Sequence, residues 1–179
     1  VYSDSRVLDL LGFNFRSPRL QSQDLRYALA HAVDKLKIID SCYSDDAIYA
    51  TSFFHPSDDR SSQVRFFDYN PEKSKKIFKS LFPRTKNLKK ISLDLLTSRE
   101  KKSLCVAKKI KKNLAPLGVD ININSYVQNQ FKKRLKKLDF KDLSLHSLYI
   151  PSKVNLSSLF HSKSTPHFYN KYKGFNLFA

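Results

Sequence analysis

The sequence predicts an α/β fold with parallel strands, and three observations within Lys90 to Ser125 carry that prediction. Ile91, Leu93 and Leu95 alternate with Ser92 and Asp94, the period of a strand with one buried face. Leu104, Ala107, Ile110 and Leu114 then recur at spacings of three and four, with Lys101, Lys102, Lys108, Lys109, Lys111 and Lys112 between them, which is an apolar helical stripe with a solvated back. Val119, Ile121 and Ile123 resume the alternation. Two strands joined by a helical crossover lie parallel in one sheet, with a right-handed connection in nearly all cases. Thr97 and Glu100 read as a capping box opening the helix, and Pro116 with Gly118 as its end.

The other elements follow in chain order. Val7 to Asn14 is apolar enough for a strand buried on both faces, broken near its end by Gly12. After a turn around Pro18, Asp24 opens a long helix and caps its first turn. Leu25, Ala28, Leu29, Ala32, Val33 and Leu36 supply its buried stripe, and Ile38 and Ile39 extend it toward Tyr43. Residues 44–69 lose periodicity and read as a long surface excursion anchored by Phe53, Phe54, Phe66 and Phe67, in which His55 is a plain loop histidine. Asn70-Pro71-Glu72 is a helix entrance, with Asn as cap, Pro in the first turn and Glu against the dipole. That helix runs to about Phe82, with Ile77, Phe78 and Leu81 on its apolar side. Ser125 and Gln128 read as a second capping box before a short helix carrying Val127, Phe131, Leu135 and Leu138. Asp142 to Ile150 alternates as a further strand, a short helical patch follows near Leu156 to Phe160, and residues from Ser162 read as an extended surface tail. The whole is expected to be a single α/β lobe over residues 1–179, with helices flanking a mixed sheet of parallel βαβ units.

Composition narrows the classes. A hydrophobic content of 41%, with 14 Phe and 9 Tyr among 179 residues, is enough to build a core. No run of about 18 apolar residues occurs, so no spanning helix is expected. The chain does not begin with Met and starts inside a strand-like segment, which suggests a processed or excised piece. Thirty-three Lys plus Arg against 16 Asp plus Glu give a formal charge of +17, which favours anionic partners: nucleic acid, anionic lipid head groups or an acidic ligand. The bland reading is a Lys-rich surface, since most of the excess sits on helix backs without the interleaved aromatics a single-strand-binding face requires. Cys42 and Cys105 match no metal or redox spacing. Two buried thiols are the default reading, and a disulfide is open to them in an oxidising compartment.

Catalytic signatures are missing. Three Gly in the chain stand at none of the spacings of a phosphate loop, and there is no nucleophile elbow, zinc signature or kinase set. Asp45-Asp46 and Asp58-Asp59 are adjacent loop pairs that point into water rather than buried, pKa-shifted acids. The sequence does not argue for an enzyme, and no catalytic residue, metal or cofactor is expected.

Four segments in register carry a resemblance. LGFNFRSP (Leu11 to Pro18) with DLRYALAHAVDK (Asp24 to Lys35) resembles the strand and "R-x-A-L-x-x-A-I-D-R" helix of the family 5 extracellular solute-binding proteins, the oligopeptide- and dipeptide-binding components of ABC importers. YNPEKSKKIFKSL (Tyr69 to Leu81) is similar to that family's "Y-D-P-E-K-A-K-x-L-L" helix. ISLDLLT, the charged helix and LGVDININ resemble its "L-x-L-x-x-T … L-x-x-x-G-I-x-V" unit, and FKKRLKKLDFKDLSL the segment that follows. The resemblance runs from about Val7 to Asn176.

The resemblance implies most of the second lobe of a two-lobed protein of the type II periplasmic-binding fold, the first lobe lying outside this chain. It implies peptide capture between lobes on the periplasmic or extracellular side of the cytoplasmic membrane, delivery to an ABC permease and its ATPase, and membrane attachment only through an anchor outside these residues. The family usually has a Trp and, a few residues on, an Asp near the end of the strand matching Asp142 to Ile150, the Asp pairing with the ligand's amino terminus. Here Tyr149 is the nearest aromatic and Ser152 stands where the carboxylate belongs. Replacing a buried carboxylate removes a charge-assisted bond of roughly 1.5 to 3 kcal/mol, so an anionic or modified peptide suits the basic balance better. Ligands bind at strand ends in open α/β sheets, which makes Tyr149, His146, Ser147, Ser152 and Asn14 the candidate ligand contacts, although Asn14 also reads as a turn former. The alternative, from the charge and the run KKRLKK (Lys132 to Lys137), is a nucleic-acid-binding domain.

Overall fold

The computed structural model describes residues 2–3, 7–43, 47–50, 67–83 and 91–149. Six strands form one sheet: β1 (Tyr2–Ser3), β2 (Val7–Phe13), β3 (Ala47–Ile48), β4 (Ile91–Ser98), β5 (Val119–Tyr126) and β6 (Leu143–Tyr149), in the spatial order β3-β1-β2-β6-β4-β5. The predicted crossover is present. β4 and β5 pair in parallel from Ile91↔Val119 to Ser98↔Tyr126, joined by α4 (Lys101–Leu114) and a 3₁₀ turn that ends at Gly118. Gly118 has φ 77°, a left-handed conformation that glycine adopts without a Cβ clash. β6 inserts beside β4, also in parallel, while β2 runs antiparallel to β6 from Val7↔Tyr149 to Phe13↔Leu143, so the sheet is mixed.

Helices α1 (Gln23–Ala32), α3 (Pro71–Leu81) and α4 cover one face, where Leu11, Phe13, Leu93, Leu95, Val119, Ile121, Leu143 and Leu145 meet Leu25, Leu29, Phe78, Ile110 and Leu114 in one core. On the other face α5 (Gln128–Lys137) sets Phe131 and Leu135 against Leu96. Alternation along β4 assigns the faces: odd-numbered residues belong to the large core, and Leu96 to the small one. Asn70 caps α3 as expected, its Oδ1 accepting from Lys73 N–H at 2.9 Å, with Pro71 in the first turn.

Local signals yield to strand pairing in two places. Neither capping box forms: α4 starts three residues later, with Glu100 at its N-cap and no side-chain cap bond, and α5 starts after Val127 in the same way. Backbone pairing of Thr97 with Ser125 and Ser98 with Tyr126 extends both strands through the segments that would otherwise begin helices. Thr97 is fully buried, and its Oγ1 has no hydrogen-bond partner among the described residues. Leu138, read as part of the α5 stripe, is instead its left-handed C-cap at φ 55°.

The long first helix is two. Ser22, not Asp24, caps α1, its hydroxyl accepting from Leu25 N–H at 3.3 Å. The chain leaves helical geometry at Val33 and re-enters at α2 (Lys35–Cys42), where Asp34 accepts from Lys37 N–H at 3.1 Å. The break shifts the stripe's phase, leaving Leu36 61% exposed while Val33 and Ile38 are buried. Cys42 and Cys105 form a disulfide that ties α2 to α4, with Cα atoms 5.7 Å apart, in place of the two free thiols taken as the default. Phe67 is buried beside Tyr27 and His31, as an anchor should be. Phe53, Phe54, Phe66, His55, the patch at Leu156 to Phe160 and the tail lie outside the described residues.

Candidate functional site

The carboxyl ends of β4, β5 and β6 form one rim of the sheet, and the start of β2 joins them because β2 runs antiparallel to β6. Asp9, the single acid in an otherwise apolar β2, is the hub of this rim. Its carboxylate accepts from Tyr43 O–H at 2.6 Å and from the Ser147 hydroxyl on the neighbouring strand, and Lys102 Nζ in the first turn of α4 lies 3.5 Å away. Lys102 also lies over the Tyr43 ring, 5.1 Å from its centroid. Burial, then the neighbouring Asp9 charge, push the Tyr43 phenol well above its ordinary pKa, so it stays a donor at any physiological pH. Tyr43 follows Cys42, so the disulfide fixes the backbone carrying this donor.

Tyr149 stands at the end of β6 with 66% of its surface exposed, an aromatic platform in water. Ser147 is exposed on the same strand face and held by Asp9. His146 points to the other face and is buried, with Nδ1 3.2 Å from Ser144 Oγ. Burial lowers its pKa to about 4, which keeps the imidazole neutral at neutral pH. Ser152 lies outside the described residues.

Asn14 is at the opposite end of the sheet, about 20 Å away along the strand direction. Its Nδ2 donates to Phe140 O at 2.8 Å, its Oδ1 accepts from Arg16 N–H at 3.0 Å, and its own N–H donates to Asp142 O at 2.7 Å. The amide nitrogen and the backbone N–H thus tie β2's exit to the entrance of β6, while the amide oxygen closes the local turn onto Arg16. Beside it, Arg16, Ser17, Pro18, Arg19, Lys141 and Asp142 line a cleft of about 460 Å³. Buried Asp142 accepts from Ser17 O–H at 2.5 Å and Asp94 N–H at 2.9 Å.

The structure therefore brings Tyr149, Ser147 and His146 together on one strand and separates Asn14 from them. Sequence reasoning missed Asp9, Tyr43 and Lys102. A lone acid in an apolar strand was the available signal for Asp9; nothing local pointed to the other two.

An open α/β lobe presenting an exposed aromatic and hydroxyls at the carboxyl ends of its parallel strands has the form of a ligand-binding domain. The chain belongs to the bacterial extracellular solute-binding proteins of family 5, whose middle-region model matches residues 1–166. No curated protein matches it in sequence. Among solved structures it is similar to the ABC transporter substrate-binding protein CtaP of Listeria monocytogenes, with a TM-score of 0.77 and 24% identity over 94% of this chain and 35% of that one. It is also similar to the oligopeptide-binding protein AppA of Bacillus subtilis in complex with a nonapeptide (TM-score 0.73, 18% identity, 95% of this chain and 37% of that one). A third is NikA of Brucella suis in complex with Fe(III)-EDTA (TM-score 0.69, 15% identity, 82% of this chain and 31% of that one). The chain spans about a third of the length of these proteins. The type II periplasmic-binding-protein fold is shared across all three.

Proposed function

We propose that these residues are the second lobe of an ABC importer's peptide-binding protein, closing with another lobe of the same protein on a peptide outside the cytoplasmic membrane and handing it to the permease and ATPase. The family match over residues 1–166 carries the reading. AppA was solved with a nonapeptide, which supports a peptide cargo, and the location follows from the extracellular character of the family. Among the described residues no helix is long and apolar enough to cross a membrane. The activity is binding, with closure driven by contacts made only when the ligand bridges both lobes.

The rim suggests how the lobe holds cargo. Tyr149 offers a face for an apolar side chain of the peptide, while the Ser147 oxygen, its proton donated to Asp9, offers an acceptor to a backbone N–H of the peptide. His146, neutral and buried, supports the strand from behind, and Asn14 braces the strand's other end. Ser152 gives no charge to a ligand ammonium. Lys101, exposed in the first turn of α4, and that turn's own N–H groups, which no side chain caps, instead set positive potential beside the rim, Lys102 being paired with Asp9, and favour an acidic, carboxylate-bearing or amino-blocked peptide.

The test is calorimetric titration of the full-length protein with paired peptides, free or acetylated at the amino end, after mass spectrometry of co-purified ligand has supplied a parent sequence. Acetylation should change affinity by less than about threefold. A loss of roughly 10- to 100-fold, the size of a lost charge-assisted bond, would overturn the amino-end reading, and a co-purified non-peptide ligand with no peptide binding would overturn the cargo.

A further inference from the structure

The run KKRLKK is not used by the rim. It lies on α5, whose apolar residues Phe131 and Leu135 are turned into the sheet. Lys132 and Lys136 form one outward row four residues apart, and Lys133 and Lys137 form a second. All four are exposed and none pairs with an acid among the described residues. The helix contains no Asp or Glu. The nearby acids are engaged elsewhere: Asp139 with Arg134 at 2.5 Å, Asp120 with Lys111 at 2.9 Å and Asp94 with Lys141 at 3.3 Å. Arg134 itself lies over the Tyr126 ring at 4.4 Å, leaving the four lysines as the exposed charged residues of the helix.

We infer that this four-lysine face of α5 docks on the anionic head groups of a lipid bilayer. Ammonium groups are unforked point charges, suited to a diffuse layer of phosphates rather than to bidentate recognition of one. No aromatic stands among them to stack a base, since Phe131 is buried and Tyr126 lies under Arg134. The geometry also leaves the binding rim free. α5 covers a face of the sheet while the rim is at its end, so a bilayer seated against α5 runs alongside the strands and does not close the rim. This surface is independent of what the rim binds.

The experiment is co-sedimentation of the protein with phosphatidylcholine vesicles, with and without phosphatidylglycerol, at low and high salt. Each lysine near an anionic surface strengthens binding about fivefold, so Lys→Gln at all four positions should weaken binding to the phosphatidylglycerol vesicles by several-hundred-fold. Lys→Arg at the same four should retain it within about threefold, and the four single Lys→Gln variants should each lose about fivefold. Removing an equal charge from α3, by Lys→Gln at Lys73, Lys75, Lys76 and Lys79, should cost less than about tenfold. Binding should disappear at high salt and be absent on phosphatidylcholine alone. The inference is overturned if the α3 variant loses as much as the α5 variant, if the α5 variant binds like the parent, if the parent does not bind, or if single- or double-stranded DNA at equal phosphate concentration binds α5 more tightly than the vesicles do.

Discussion

Reducing the Cys42–Cys105 disulfide should lower stability by an amount the loop length sets. The bond closes a segment with a sequence separation of 63 residues that contains α3 and β4 and part of α4, and it joins α2 to α4 across the helical layer. The chain-entropy relation for a loop of that size gives about 4 kcal/mol of stabilisation through the unfolded state. For a domain of this length that corresponds to a fall in melting temperature of about 8–16 °C. The packing at the bond is modest, since both sulfurs sit in partly buried residues, so little core contact is lost when it opens. The measurement is thermal unfolding by circular dichroism with and without dithiothreitol, with alkylation and intact mass reporting the thiol count. The Cys42→Ser, Cys105→Ser double variant should melt with the reduced protein. An oxidised sample that alkylates at two cysteines, or a reduced one melting within about 2 °C of the oxidised, would refute the reasoning. The bond also agrees with the extracellular family, since disulfides persist in oxidising compartments.

Further predictions concern buried polar groups. His146 has a folded pKa of about 4 against an ordinary 6.5, so the unfolded chain binds the extra proton between these values. Its contribution, about 3 kcal/mol, is complete above pH 6.5 and falls away as pH drops toward 4; urea midpoints across that range should decline in the parent and flatten in His146→Gln. A decline of equal size in the variant would exclude His146 as its source. Asp142→Ala should cost about 2–4 kcal/mol by stranding the Ser17 hydroxyl and the Asp94 N–H, read as a lower urea midpoint at unchanged slope, and a loss under about 1 kcal/mol would mean the junction relaxes around the gap.

The parallel β4-α4-β5 unit, α3 with its Asn70 cap and the buried faces of β2 and β6 are legible in the sequence, because periodicity records which side of an element is dry and caps record where a free N–H is satisfied. Thr97 and Ser125 show where such reading stops. Each had a sound local role as a cap, and each was taken into a strand because its partner across the ladder extended with it. Asp34 broke the first helix with the help of Asn113, whose Oδ1 accepts from the Asp34 N–H at 3.2 Å from another helix altogether.

Sequence alone determined that the fold is α/β with a strongly basic exterior, and which strand would carry Tyr149 near its end. Only the tertiary structure decided that β6 inserts between β2 and β4, that β2 runs against it and carries Asn14 to the far end, and that Asp9, Tyr43 and Lys102 converge on Ser147. The reason is that burial is encoded by each side chain in its own segment, whereas a strand's neighbour is chosen through backbone groups that every residue shares, so order and direction follow from how all the dry faces can be covered at once.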